Sequence, residues 1–207
     1  MKYIDFKENL KALPIFSLSD IHIISPSFHR HQLSHWIQKG YIQKIKKGFY
    51  YFSDCVVDDA FLYSAANKIY APSYISLELA LARYEFIPES VYGITSICTR
   101  KTKTITTNLA TFIYRHIKPN LFFGYTIETH KNVTYKFATP EKALLDLFYF
   151  NASLQDISAI QGMRFNIQEI LAEIDWDICR KYLLIFQSKQ LTKRFNIFKD
   201  YIYHAKY

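Results

Sequence analysis

Residues 27–52 read SFHRHQLSHWIQKGYIQKIKKGFYYF, and two different periods meet inside them. From Phe28 to Lys39 the apolar residues recur at helical spacing, with Ser27 as the expected cap and Gly40 as the stop. On a helical wheel His29, Leu33, Trp36, Ile37 and Gly40 cluster on one side as the expected core stripe. Ser27, Phe28, His31, His35 and Gln38 lie opposite, with Arg30 and Ser34 at the flank. From Tyr41 to Lys46 the pattern alternates, as in a strand. Lys47-Gly48 supplies a turn and Phe49–Phe52 the return strand.

Upstream, Tyr3, Phe6, Leu10 and Leu13 recur at spacings of three and four, which predicts an amphipathic helix over Lys2–Lys11 that ends before Pro14. Phe16 and Leu18 alternate with serine, as in a very short strand. Ser19 is the expected cap of a short helix carrying Ile21, Ile23 and Ile24, which stops near Ser25-Pro26. The order helix, short helix, helix, basic hairpin is the plan of a winged helix-turn-helix over residues 1–54. Its apolar set is Phe6, Leu10, Phe16, Leu18, Leu33, Trp36, Ile37, Ile45 and Phe49. The polar face of the second helix offers short or planar hydrogen-bonding groups of the kind that read base edges in a major groove. Ser27, Phe28, Arg30, His31, Ser34, His35 and Gln38 are therefore candidate DNA contacts. Lys44, Lys46 and Lys47 are candidate phosphate ligands on the hairpin. The bland alternatives are a polar helix surface and lysines that blunt a sheet edge.

Asp54–Asp59 reads as a connection to a second unit over residues 55–207. Asp58–Tyr70 reads as a helix broken at Pro72-Ser73, and Ser76–Tyr84 as another stopped by Pro88. Strands are expected over Ile94–Cys98, Thr111–His116, Tyr125–Glu128 and Thr134–Ala138. Thr139-Pro140-Glu141 opens a strongly apolar helix that runs to Phe150. Beyond Asn151 the chain reads as helical, most clearly at 166–174, 176–187 and 191–205. The expected class is α+β: a winged helix-turn-helix, then a mixed α/β domain with a helical C-terminal part. Between Ser90 and Ile127 no acidic residue occurs. Arg100, Lys101, Lys103, Arg115, His116 and Lys118 would then form a second basic surface if these strands pair. From Arg180 onward there are seven Lys or Arg and one Asp.

Half of the 207 residues are hydrophobic and 17% are aromatic, which excludes a disordered chain. A formal charge of +8 favours polyanionic partners. Cys55, Cys98 and Cys179 form no CxxC pair and read as buried free thiols of a reducing compartment. The sequence has no signal-peptide pattern and no run long enough to span a bilayer, so a cytoplasmic protein without membrane association is expected. No Gly-rich phosphate loop, GxSxG, HExxH or DxD occurs, so neither enzyme activity nor a cofactor is expected. His31 and His35 stand one turn apart with His22 and His29 nearby, but no acidic or thiol ligand accompanies them, and no metal site is assigned. Asp146 lies one turn beyond Lys142 and reads as its structural partner.

Three stretches carry a family resemblance. They are Ile37–Ile42 with Lys47–Tyr50; Pro72–Leu81 followed by Tyr84 and Ile87-Pro88-Glu89; and Ala138–Leu147, ATPEKALLDL. Gly124-Tyr125 and Thr99-Arg100-Lys101 add to them. Over about residues 15–150 the chain resembles the AbiEi-type antitoxins of bacterial type IV toxin–antitoxin and abortive-infection systems, and their related transcriptional regulators. The resemblance implies a two-domain protein that represses its own operon and counters a nucleotidyltransferase-like toxin through its C-terminal domain. Double-stranded operator DNA, expected to hold inverted repeats, and a cognate toxin are the implied partners. A stand-alone ligand- or metal-responsive regulator, and a nuclease-like enzyme guided by a winged helix, are the rival readings.

Overall fold

The computed structural model describes residues 1–88 and 93–204. Glu89 and Ser90, where two of the stretches above end or begin, and Ala205 lie outside the described residues. The fold is mixed α+β.

The first segment runs α1 (Tyr3–Leu10), β1 (Phe16–Ser17), α2 (Leu18–Ile24), α3 (Arg30–Gln38), β2 (Ile42–Lys46) and β3 (Phe49–Phe52). Its strands form an antiparallel sheet in the order β1-β3-β2. The helices are held by an aromatic core in which Phe6 meets Trp36 at 4.6 Å and Phe16 at 5.6 Å between ring centres. Phe28 belongs to this core: it is 6% exposed and stacks on Phe6 at 5.7 Å. The expectation that its side chain faces DNA is corrected, because Phe28 precedes α3 and does not follow the wheel of that helix. For the same reason His29, placed in the core stripe above, is exposed at the helix N-terminus.

The cap of α2 also moves. Ser17, not Ser19, accepts from the Asp20 amide at 3.2 Å, and the Asp20 carboxylate accepts from the Ser17 amide at 2.7 Å, closing a capping box. The chain leaves the strand at Ser17, so the helix starts two residues early and Ser19 falls on its exposed surface. Ser17→Ala should lower stability by about 1 kcal/mol and Ser19→Ala by only a few tenths, read as urea midpoints. Equal midpoints for the two variants would contradict this cap.

The second segment centres on a mixed sheet of β4 (Ser73–Ile75), β5 (Ile94–Cys98), β6 (Lys103–Thr106), β7 (Thr111–His116), β8 (Tyr125–His130) and β9 (Val133–Ala138). The strand order is β6-β7-β5-β4-β9-β8, with β4/β9 and β5/β7 parallel. Ser73, expected with Pro72 only as a helix break, opens a buried strand, Ser73–Ile75. α4 (Asp59–Ile69) covers one face: the Tyr114 hydroxyl donates to the Ala66 carbonyl at 2.9 Å, and Tyr63 packs on Phe137 at 5.5 Å. α5 (Glu78–Arg83) follows β4, and α6 (Pro140–Phe150) lies on the opposite face of the sheet. α7 (Ile157–Gly162), α8 (Ile167–Glu173), α9 (Trp176–Phe186) and α10 (Lys189–His204) complete the chain, with α9 and α10 packed on α6.

Beneath α6 lies a buried ionic network. Lys142 and Asp146, both 0% exposed, form a short ion pair one helical turn apart. The Lys142 ammonium also donates to the Tyr74 hydroxyl at 2.8 Å. Tyr74 and Ser76 donate to Asp146 at 2.9 and 2.8 Å. The stretches Pro72–Leu81 and Ala138–Leu147 thus meet at these residues. Burial pushes the Lys142 ammonium below the usual lysine range, partly offset by Asp146. Burial likewise drives the Tyr74 phenol well above its usual value. Gly124, at φ +72°, makes room: a Cβ there would stand 2.9 Å from Lys142 Cγ.

The two segments share packing through α4. Ile15, Ile45 and Tyr51 join the larger core, and Phe49 packs against it. Ile45 and Phe49, assigned above to the N-terminal apolar set, therefore face the second segment. Tyr51 meets Phe61 of α4 at 5.3 Å, and Lys68 of α4 pairs with Asp20 of α2 at 2.9 Å.

Candidate nucleic-acid interface

Leu33 and Trp36 anchor α3 in the aromatic core. This leaves Arg30, His31, Ser34, His35 and Gln38 exposed, with Ser27 exposed in the preceding turn. The His29 and His31 rings stack at 5.5 Å. These residues offer both hydrogen-bond donors and acceptors along the helix. At its end Gly40 takes φ +74°, which lets the Tyr41 amide donate to the Trp36 carbonyl at 3.0 Å and turns the chain into β2.

The hairpin lysines divide. Lys44 and Lys47 are exposed, whereas Lys46 is half-buried. The β2/β3 register shifts between Lys44 and Lys46. Lys46 then donates to the Ile69 carbonyl at the end of α4, at 3.2 Å, and its ammonium lies 5.0 Å from the centre of the Phe49 ring. Burial, with Lys103 and Arg100 nearby, lowers its basicity. Lys46 is thus partly occupied inside the protein, but it brings the hairpin beside the second basic region.

That region forms around Tyr70. The Arg100 guanidinium lies 4.3 Å and the Lys103 ammonium 5.9 Å from the Tyr70 ring centre. The Tyr70 hydroxyl donates to the Lys101 carbonyl at 3.0 Å, and His116 Nδ1 lies 3.0 Å from the Arg100 carbonyl. A groove of about 640 Å³ runs along Tyr70, Arg100, Lys101 and His116, and its described lining holds no Asp or Glu.

Not all of the expected surface converges here. Lys103 stands opposite Tyr114 in the β6/β7 register and shares its face. Arg115, the next residue along β7, points to the other face. Lys118 lines a separate groove with Asn120 and Tyr149. The contribution of Lys46 to the Arg100–Lys103 cluster was not legible in sequence, because it depends on which side of the hairpin packs on α4. Among the described residues no group of three or more His, Cys, Asp or Glu could hold a metal ion. No described helix is long and apolar enough to cross a membrane.

No protein-family model matches the chain, and no curated protein is found similar to it.

Proposed function

We propose that the chain is a cytoplasmic transcriptional regulator whose residues 1–54 act as a winged helix-turn-helix on double-stranded operator DNA. α3 enters the major groove, and the β2–β3 hairpin, as the wing, follows the phosphates. Residues 55–207 form the effector unit, which by its resemblance to AbiEi-type antitoxins counters a nucleotidyltransferase-like toxin without enzymatic activity of its own. The observation that carries the reading is the continuity of positive charge from the hairpin to the sheet. Lys46, Arg100 and Lys103 gather at one junction, and the described lining of the adjoining groove bears no carboxylate. Such a cluster suits a phosphate backbone that runs past the wing.

The test is anisotropy of the full chain on duplex DNA taken from upstream of its own gene, against a shuffled duplex. Preferential binding of the upstream DNA is expected, with log K falling linearly in log salt. In the Lys46→Gln/Arg100→Gln/Lys103→Gln variant the slope should flatten by up to about 0.9 for each phosphate no longer neutralised, on both duplexes. Equal affinity for the two duplexes would overturn the operator reading. An unchanged slope would remove this cluster from the interface. Co-expression with a neighbouring nucleotidyltransferase reading frame tests the effector half: no relief of toxicity counts against it.

A further inference from the structure

α9 and α10 lie side by side on α6 and leave a groove of about 330 Å³ between them. Trp176, Leu183 and Leu184 line it from α9, and Phe195 from α10. Along α9 the lining positions 176, 179, 180, 183 and 184 follow one helical stripe, and the positions 192, 195, 196 and 199 do so along α10. The stripe from Trp176 to Leu184 is about 12 Å long, the length of two to three helical turns. Leu184 is 73% exposed, so the α9 wall of the groove presents aliphatic surface to solvent.

The charged residues in the described lining are Arg180 and Lys199, both cations. Arg180 forms an exposed ion pair with Asp177 in its own helix, a weak restraint. The Lys199 ammonium sits 5.5 Å from the Trp176 ring and 5.8 Å from the Tyr203 ring, poised at the edge of the apolar floor. An apolar trough with a cationic rim is complementary to a helix with an apolar stripe and acidic flanks. It fits a second copy of this chain poorly, since a net charge of +8 opposes self-association. A bilayer surface is also a poor fit, because the apolar residues line a concavity.

We propose that the α9–α10 groove docks an amphipathic helix of another protein that carries Asp or Glu along both flanks of its apolar stripe. This inference is independent of the DNA-binding reading.

The probe is a fluorescein-labelled designed helical peptide of about 12 residues. It has leucines at i, i+3, i+4 and i+7 and glutamates on the flanks, and is titrated with the full chain. A second peptide carries lysines in place of the glutamates. Saturable binding of the glutamate peptide is expected, and the lysine peptide should bind at least about tenfold more weakly. Leu184→Asp and Lys199→Glu should each weaken the glutamate peptide by about tenfold or more. The Leu184 side chain is mostly in solvent, so that variant should keep the parent circular dichroism spectrum and unfolding midpoint. Several results would overturn the proposal. They are no saturable binding by the parent, equal affinity for the two peptides, or unchanged affinity in a folded Leu184→Asp chain. Sensitivity to Leu184→Asp seen only in self-association by sedimentation, or only in flotation with phosphatidylglycerol vesicles, would also overturn it, in favour of a second copy or a membrane.

Discussion

Asp146→Leu is expected to lower the unfolding free energy by about 3–5 kcal/mol, because it leaves the Lys142 ammonium without its counter-charge in a site that water does not reach. The faces of Tyr74, Phe123 and Phe186 lie 5.0 to 5.3 Å from that ammonium. They offer it a quadrupole, which is worth less than a carboxylate at contact. Lys142→Met alone should cost less than Asp146→Leu. The Asp146 carboxylate would still accept from the Tyr74 and Ser76 hydroxyls. In the Lys142→Met/Asp146→Leu double variant neither charge of the pair remains, so most of the loss should be recovered. The residue of the loss is then the two hydroxyls left without an acceptor, each worth about 1–3 kcal/mol. Further change of Tyr74 to Phe and Ser76 to Ala should remove that part too. Urea unfolding of the four variants, with m checked for constancy, gives the comparison. An Asp146→Leu unfolding free energy within about 1 kcal/mol of the parent would mean that the pair does not hold opposite charges in a dry core.

The same network shows where sequence reading stops. Lys142 and Asp146 were recognisable as partners, because i,i+4 spacing on a capped helix puts them on one face. Tyr74 and Ser76 were not, because they arrive from β4 and the residue that follows it, about seventy residues away. β4 does not show in the sequence: Pro72-Ser73 reads as a helix break, and a short strand covered on both faces does not alternate. β6 escaped for the opposite reason, since Lys103–Thr106 is a largely exposed edge strand with one partner and little apolar signal. Elements that carry their own punctuation were legible: α1 before Pro14, the Lys47-Gly48 hairpin, and α6 behind Thr139-Pro140. The candidate interface was readable to the extent that local periodicity governs it. α3 exposes Arg30, His31, Ser34, His35 and Gln38 because Leu33 and Trp36 must be buried. The separation of Arg115 from Lys103 was not readable, because facing in a sheet depends on register and register depends on partners.

Single replacement of Arg30, His31 or Ser34 by Ala should weaken operator binding by about 1–3 kcal/mol wherever the residue touches a base edge. These side chains are exposed and anchor nothing in the aromatic core, so unfolding midpoints should stay near the parent value. His31→Ala and Ser34→Ala should leave affinity for the shuffled duplex nearly unchanged. Arg30→Ala should lower both affinities, since its charge also serves non-specific phosphate attraction. Phe28→Ala provides the internal control. Phe28 is buried against Phe6, and its ring centre lies 5.8 Å from that of Trp36. Its loss should therefore cost about 3–5 kcal/mol of stability. Any fall in DNA affinity should then track the unfolded fraction and disappear at lower temperature or in a stabilising osmolyte. The expected pattern is three variants that fold and discriminate poorly, and one that discriminates normally while it stays folded. If all three surface variants bind operator like the parent, α3 or this face of it is not the reading surface. If Phe28→Ala loses discrimination while fully folded, its ring contacts DNA in a rearranged state. Recognition would then require the turn before α3 to open, since a ring held in the aromatic core cannot reach a base.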